Sequence, residues 1–315
     1  MRKFLFLPLI CLLLGAQAQN KKYILDADTG NEMDDFYAIV RALLDPDMNI
    51  IALNSAHYNT THMFMDSVWN ENPVTDFNTV GISQAYNEEL LTKMGRLDLP
   101  HPLGCNRSIG YAWGYYPSAP VPPSPAVDMI VAEAKKASPD NKLGVICIGA
   151  STNLAAAIET DPSIAKNIDA YLLGARYEPS TQVWNKSEFN IRNDLSAFDV
   201  LLNNQDLELT VMSITTARPY TFLKTPTLKR LYAYDDPVTD LLGDIWTKIN
   251  AAESRVMWDL ALIIAIQKPE LATLEKCPAP PENKRKFVNV YTQIDVEAMR
   301  ADFWKYLDDE FGKAK

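Results

Sequence analysis

"YILDADTGNEMDDFYAIV", residues 23–40, runs from an apolar stretch into four aspartates, Asp26, Asp28, Asp34 and Asp35, with Glu32 among them. The chain then turns apolar again. Phe36, Ile39, Val40 and Leu43 recur at i, i+3, i+4 and i+7, the spacing of one helix face. The stretch therefore reads as a buried strand, an acidic loop at its carboxyl end, and a helix. The same alternation continues along the chain. Strand-length apolar runs recur at "NIIALNSA" (49–56), "KLGVICIG" (142–149), "DAYLLG" (169–174), "LELTVMS" (207–213) and "KFVNVYTQ" (286–293). Helical patterns fall over 86–95, 125–137, 152–159, 194–204, 237–250 and 254–267. Strands alternating with helices imply a single α/β domain with a mostly parallel central sheet flanked by helices. Ligands of such sheets bind outside the carboxyl ends of the strands, where the acidic loop falls. Two stretches break the rhythm, 58–85 and the aromatic, proline-rich 111–125, and both read as long loops near the mouth of a site.

The first 18 residues have a basic tip (Arg2, Lys3), an apolar run from Phe4 to Leu14 and a small-residue A-Q-A site ending at Ala18. This is the pattern of a secretory signal peptide, and the run is too short to span a bilayer. The expected product is exported, periplasmic or secreted, without a membrane anchor. Removing the leader takes two positive charges and moves the formal net charge from −10 to −12. So acidic a surface repels phosphate backbones, which argues against a nucleic-acid partner. Cys105, Cys147 and Cys277 remain, an odd set with no close pairing and no sign of a disulfide framework. Cys147 lies in an apolar run and reads as a small core residue. No glycine-rich phosphate loop is present, so no nucleotide, nicotinamide or flavin cofactor is implied.

Why five acids gather beside one strand has several candidate answers. An aspartate helix cap accounts for one or two of them, but five would repel one another unless a cation neutralises them. A calcium EF-hand fails on spacing, because Asn31 stands where glycine is needed and Tyr37 where glutamate is needed. The D-x-D-x-T motif of aspartyl-phosphate phosphatases meets Gly30 in place of threonine.

Residues Asp26–Asp35 followed by "FYAIVRALL" resemble the D-x-D-x-G…D-D-x-x-A signature of the inosine–uridine-preferring nucleoside hydrolases. Four further segments match in the same order: "IALNSAHYN" (51–59), "VICIGASTNLAAAI" (145–158), "EFNIRNDLSA" (188–197) and "MWDLALIIA" (257–265). The resemblance spans roughly residues 22–295 and implies one catalytic domain over 19–315 with a Rossmann-like core. It implies calcium as cofactor, a small ribonucleoside or ribosyl conjugate as substrate, and cleavage of the N-glycosidic bond. Members often form dimers or tetramers, though no apolar stripe in the sequence points to a homo-oligomer independently.

Cleaving that bond builds positive charge on the ribosyl ring, so the site must hold the sugar, activate a water and surround the charge with anions. A hard divalent cation can chelate vicinal hydroxyls and acidify a water. Carried over by position, the resemblance assigns the metal to Asp28, Asp35, Asp259 and the main-chain carbonyl of Ile148, with Asp28 as general base. Asp26, Asp34, His57, Asn59, Glu188 and Asn190 are assigned to the water and the sugar hydroxyls. Asp259 would sit in an apolar helix, which is costly without a partner. Two departures stand out. "TGNEM" between Asp28 and Asp34 is longer than the family's three residues, leaving Glu32 to face the site or solvent. Trp258 stands where many members carry a histidine that protonates the departing base; an indole can stack on a base instead. His62 and His101 carry no assignable signal. The open alternatives are a hydrolase of another sugar conjugate on the same metal site and a non-catalytic, metal-dependent sugar-binding protein.

Overall fold

The computed structural model describes residues 21–59, 78–110, 121–249 and 252–312. The expected leader and much of both expected loops lie outside the described residues. The central sheet takes its strands from β1 (Lys22–Ala27), β2 (Asn49–Ser55), β3 (Leu143–Cys147), β4 (Ile168–Leu173), β7 (Glu208–Met212), β10 (Ala272–Pro278) and β11 (Phe287–Ile294). Their order is β10-β11-β7-β4-β3-β1-β2. Every neighbouring pair is parallel except β10 with β11. Two short antiparallel hairpins stand apart: β5 (Arg176–Glu178) with β6 (Val183–Asn185), and β8 (Thr221–Leu223) with β9 (Ser254–Val256).

Alternating side chains of the strands feed two cores, one on each face. Leu25 of β1 and Ile146 of β3 join a core with the helices Asp34–Leu44, Pro237–Ile249, Trp258–Gln267 and Val296–Phe311. Ile24, Val145 and Cys147 join the opposite core with Pro125–Lys136, Thr152–Thr160 and Leu195–Asn203. A sheet covered on both faces needs near-continuous apolar runs, which Tyr23–Leu25 of β1 and all of β3 supply. Leu260–Ala265 are all fully buried, so the helix Trp258–Gln267 is apolar all round and runs beneath its neighbours. It packs directly on the helix Asp34–Leu44. That helix is fixed to the carboxyl-terminal helix by Arg41, which is fully buried, bonds Asp45 and Asp302 at 2.8 Å each, and lies 3.5 Å from the centre of the Tyr306 ring.

The six strands expected from the sequence are present, with β1 extending through Asp26 to Ala27. The pattern read as one helix over 254–267 is instead the strand β9 followed by the helix Trp258–Gln267; β9 pairs with β8. A helix occupies Thr79–Lys93, reaching back into the stretch read as loop, with Asn78 capping Gly81 N at 3.1 Å. Its buried apolar side chains are few, Val80, Leu90 and Leu91, too sparse to show a period. Also unforeseen are the helices Lys224–Tyr232 and Val296–Phe311 and the edge strand β10, whose residues are mostly exposed. Cys105, Cys147 and Cys277 are buried free thiols.

Candidate active site

β1 and β3 are neighbours, and the chain turns one way after β1, toward β2, and the other way after β3, toward β4, which opens a crevice at their carboxyl ends. Asp28 follows β1, Ile148 follows β3, Leu173 ends β4 and Ile214 follows β7, and all four line one cavity of about 220 Å³. Asn31, Glu32, Asp34, Asp35, Glu188, Asn190, Trp258 and Asp259 line it too.

The acidic loop is shaped by its own sequence. Gly30 holds φ at +96°, and a Cβ there would lie 2.3 Å from the Tyr86 ring, so only glycine turns the chain at this point. Thr29 Oγ1 donates to Asn87 Oδ1 at 2.6 Å, tying the loop to the helix Thr79–Lys93. Asn31 donates from its backbone to the Asp28 carbonyl at 3.1 Å. Glu32 accepts from Arg255 of β9, the strand that leads into Trp258 and Asp259. The extra loop length thus spans the cleft: Glu32 neither enters the site as a free acid nor drifts in solvent.

Asp34 and Asp35 occupy the first turn of one helix and Asp259 the first turn of its neighbour, so two helix N-termini converge on the same point. Partial positive charge at those ends favours carboxylates. Asp34 Oδ2 accepts the backbone N–H of Asp259 at 3.1 Å, capping the neighbouring helix. Carboxylate oxygens of Asp34, Asp35 and Asp259 lie within 4.8 Å of one another. Asp28 lines the same cavity beside Asp35, close enough for each carboxyl to alter the other's affinity for protons. All four are at least 96% buried, and Asp35 Oδ1 has no partner among the described residues. Burial drives their affinity for protons upward: Asp34 is pushed to about 7, and Asp28, Asp35 and Asp259 are raised well above the ordinary carboxylate value. For Asp35 and Asp259 the neighbouring acids add to this.

Four buried carboxyls with an orphaned oxygen fit a cation better than one another's company. The donors are all oxygens, which suits a hard divalent ion. The cradle is close: a Cβ added to Gly149 would lie 2.8 Å from Asp28 Cγ. The sequence assigned Asp34 to substrate, whereas the structure draws it into the group with Asp35 and Asp259. Ile148 lines the cavity, and its carbonyl accepts from Asn190 Nδ2 at 2.9 Å, leaving a second lone pair.

Glu188 caps the short helix Phe189–Asn193 and spends both oxygens on backbone N–H groups, those of Asn190 (3.1 Å), Ile191 (3.2 Å) and Ala175 (3.3 Å). Burial raises its pKa. Trp258 is half-buried at the cavity wall.

Three residues assigned to substrate do not reach the cavity lining. Asp26 is fully buried, accepts from Asn54 Nδ2 at 2.6 Å and is pushed by burial to about 7. His57 bonds Thr152 Oγ1 at 2.9 Å through Nε2 and accepts the Asn59 N–H at 3.3 Å on Nδ1. Asn59 donates to the Asn106 carbonyl at 2.8 Å and accepts from Thr79 Oγ1 at 2.6 Å. Apart from Asp26 Oδ2, which has no partner among the described residues, their polar groups are engaged behind the wall and support the ends of β1 and β2. Conversely, Asn31, Arg176, Ser187 and Arg192 line the cavity without having been singled out. Arg192 was within view, two positions after Asn190.

The profile of the family described as "Inosine-uridine preferring nucleoside hydrolase" matches residues 23–304. A curated relative, "Probable uridine nucleosidase 2" of Arabidopsis thaliana, is 27% identical over 204 residues. That match covers 59% of this chain and 57% of the relative's length. Among solved structures, a plant nucleoside hydrolase superposes with a TM-score of 0.69 at 20% identity, covering 92% of this chain and 99% of that one. A purine-preferring ribonucleoside hydrolase from Gardnerella vaginalis gives 0.64 at 18%, covering 92% and 98%. At these identities the superpositions speak for the fold. The profile match spans nearly the whole described chain, and the protein belongs to the inosine-uridine preferring nucleoside hydrolase family.

Proposed function

We propose that this protein hydrolyses the N-glycosidic bond of a ribonucleoside to ribose and free base, using calcium held by Asp28, Asp34, Asp35 and Asp259 with the Ile148 carbonyl. The observation that carries the reading is the convergence of four buried carboxyls, one oxygen orphaned, at the switch point of the sheet. When bound, the cation would supply Lewis acidity and a grip on vicinal hydroxyls.

The chain's own groups supply the rest. Asp28 lies on the cavity wall beside Asp35 and takes the proton of the attacking water. The carboxylates facing the ribosyl ring stabilise the positive charge that grows as the base departs. Glu188 and Asn190, fixed by backbone hydrogen bonds beside Ile148, hold the sugar. Trp258 offers its ring to the base. Because an indole gives up no proton at neutral pH, the site suits a leaving group that needs little protonation. That favours uridine-type substrates over inosine-type ones, and keeps another ribosyl conjugate as the second reading. The amino-terminal 18 residues direct the enzyme out of the cytoplasm, to periplasm or medium.

A nucleoside panel tests this, with ribose and base both quantified for the wild type and Asp28→Ala. Release of the two products in equal amounts, lost by about 10²-fold or more in the variant, is expected. Sugar binding without release from any nucleoside would instead mark a binding protein. Full activity in Asp28→Ala would remove the assigned base.

A further inference from the structure

The cavity's wall of Glu188 and Asn190 carries positive charge that no described residue pairs with. Arg176 opens β5, and Ser187 and Arg192 flank Glu188 and Asn190; all three line the cavity. Neither guanidinium, nor the Ser187 hydroxyl, bonds any described residue. Arg192 and Ser187 are exposed at the cavity mouth and Arg176 is half-buried, and none of them is in an ion pair of the kind that holds Arg41, Lys186 and Arg255. Glu188, on the same wall, already accepts three backbone N–H groups and makes no ion pair with either arginine. Among the described residues that line the cavity, Arg176 and Arg192 are the basic ones, set against six acids.

The geometry points to a phosphate site: Arg176, Arg192 and Ser187 receive a phosphate monoester on the 5′ position of the ribosyl substrate. This rests on the reading of the cavity as a ribosyl hydrolase site. The vicinal hydroxyls belong at the carboxylate cluster, which turns the sugar's 5′ carbon toward the Glu188 wall. A dianion placed there meets two guanidinium groups, whose planar forks match phosphate oxygens. The phosphate takes no part in the cleavage; it adds binding at the end of the substrate remote from the base.

Calorimetry of the calcium-loaded protein with ribose 5-phosphate and with ribose tests the site without requiring turnover. Ribose 5-phosphate should bind about ten-fold or more tighter than ribose, as expected for charge-assisted contacts. That preference should shrink to about two-fold or less in Arg176→Gln/Arg192→Gln, and the Arg176→Lys/Arg192→Lys pair should keep part of it. Equal binding of the two sugars overturns the proposal, as does a preference that survives the glutamine pair. Uridine, uridine 5′-monophosphate and orotidine, assayed for base release, separate the alternatives. An arginine-dependent preference for orotidine alone would move the anion to the base and overturn the 5′ assignment. Cleavage of uridine with no preference for the phosphorylated sugar sinks this inference and spares the hydrolase reading. Absence of cleavage sinks that reading, while the binding ratio still decides the phosphate site.

Discussion

His57 is held as a neutral, structural imidazole, and its contribution to stability must disappear in acid. The Asn59 N–H points at Nδ1, so the ring proton resides on Nε2 and donates to Thr152 Oγ1, whose hydroxyl donates to Asp194 Oδ2 at 2.7 Å. A second proton would have to enter at Nδ1, against a backbone donor, in a site 1% exposed. Burial accordingly lowers the pKa from the ordinary 6.5 to about 4. Between those values the unfolded chain binds a proton that the folded one refuses, so stability falls as pH falls from 6.5 toward 4. At 1.36 kcal/mol per pH unit the full loss is about 3 kcal/mol, of which about 2 kcal/mol falls between pH 7 and pH 5. His57→Gln keeps a donor and an acceptor but does not titrate. The assay is the urea midpoint of wild type and variant at pH 7, 6 and 5. Asp194 is shifted the other way, to about 6 by burial, and gains stability on acidification. It is present in both proteins and cancels in the difference. The stability advantage of the wild type should shrink by about 2 kcal/mol between pH 7 and pH 5. A difference independent of pH would refute the buried, neutral histidine and reopen a role for it in protonating the leaving base.

Arg41→Met leaves Asp45 and Asp302 without their cation, and should cost about 3–5 kcal/mol in denaturant melts; a loss below about 1 kcal/mol would show the pair to be dispensable. Arg255→Ala frees Glu32 and the lengthened loop from the strand leading to Asp259. It should lower kcat/KM by about ten-fold while changing stability by under about 1 kcal/mol, since the pair is partly exposed. Unchanged kcat/KM would mean that the strap does not align the two halves of the site. Trp258→Ala should raise KM for the nucleoside with a smaller effect on kcat, as lost stacking would; a fall in kcat alone contradicts a base-stacking role.

The strand–acidic loop–helix unit was legible because its signals are local: an apolar run, a charge cluster, then a helical period. Asp35 and Asp259 could be named from motif register, and the structure brings them together across more than two hundred positions. What sequence could not show is where hydrogen-bonding capacity is spent. Asp26, His57 and Asn59 sit beside the site in sequence, yet Asn54, Thr152 and Thr79 draw them into the supporting framework. The Glu32–Arg255 strap was invisible for the same reason, since neither residue carries a local sign of the other. The carboxyl-terminal helix was readable in principle: Met299, Phe303 and Leu307 recur every four residues and are all buried. The edge strand β10 was not, because an exposed strand has no apolar face to announce it.

The claim that the carboxyl cluster is a cation site used in catalysis is tested most directly by adding calcium back to chelator-stripped protein while base release is recorded. The account predicts no turnover without metal and saturable recovery with added calcium. In Asp35→Asn and Asp259→Asn the calcium needed for half-recovery should rise by about 100-fold or recovery should fail, as expected when a buried anionic ligand is removed. Full turnover by the stripped protein, or recovery unaffected by both substitutions, would contradict it.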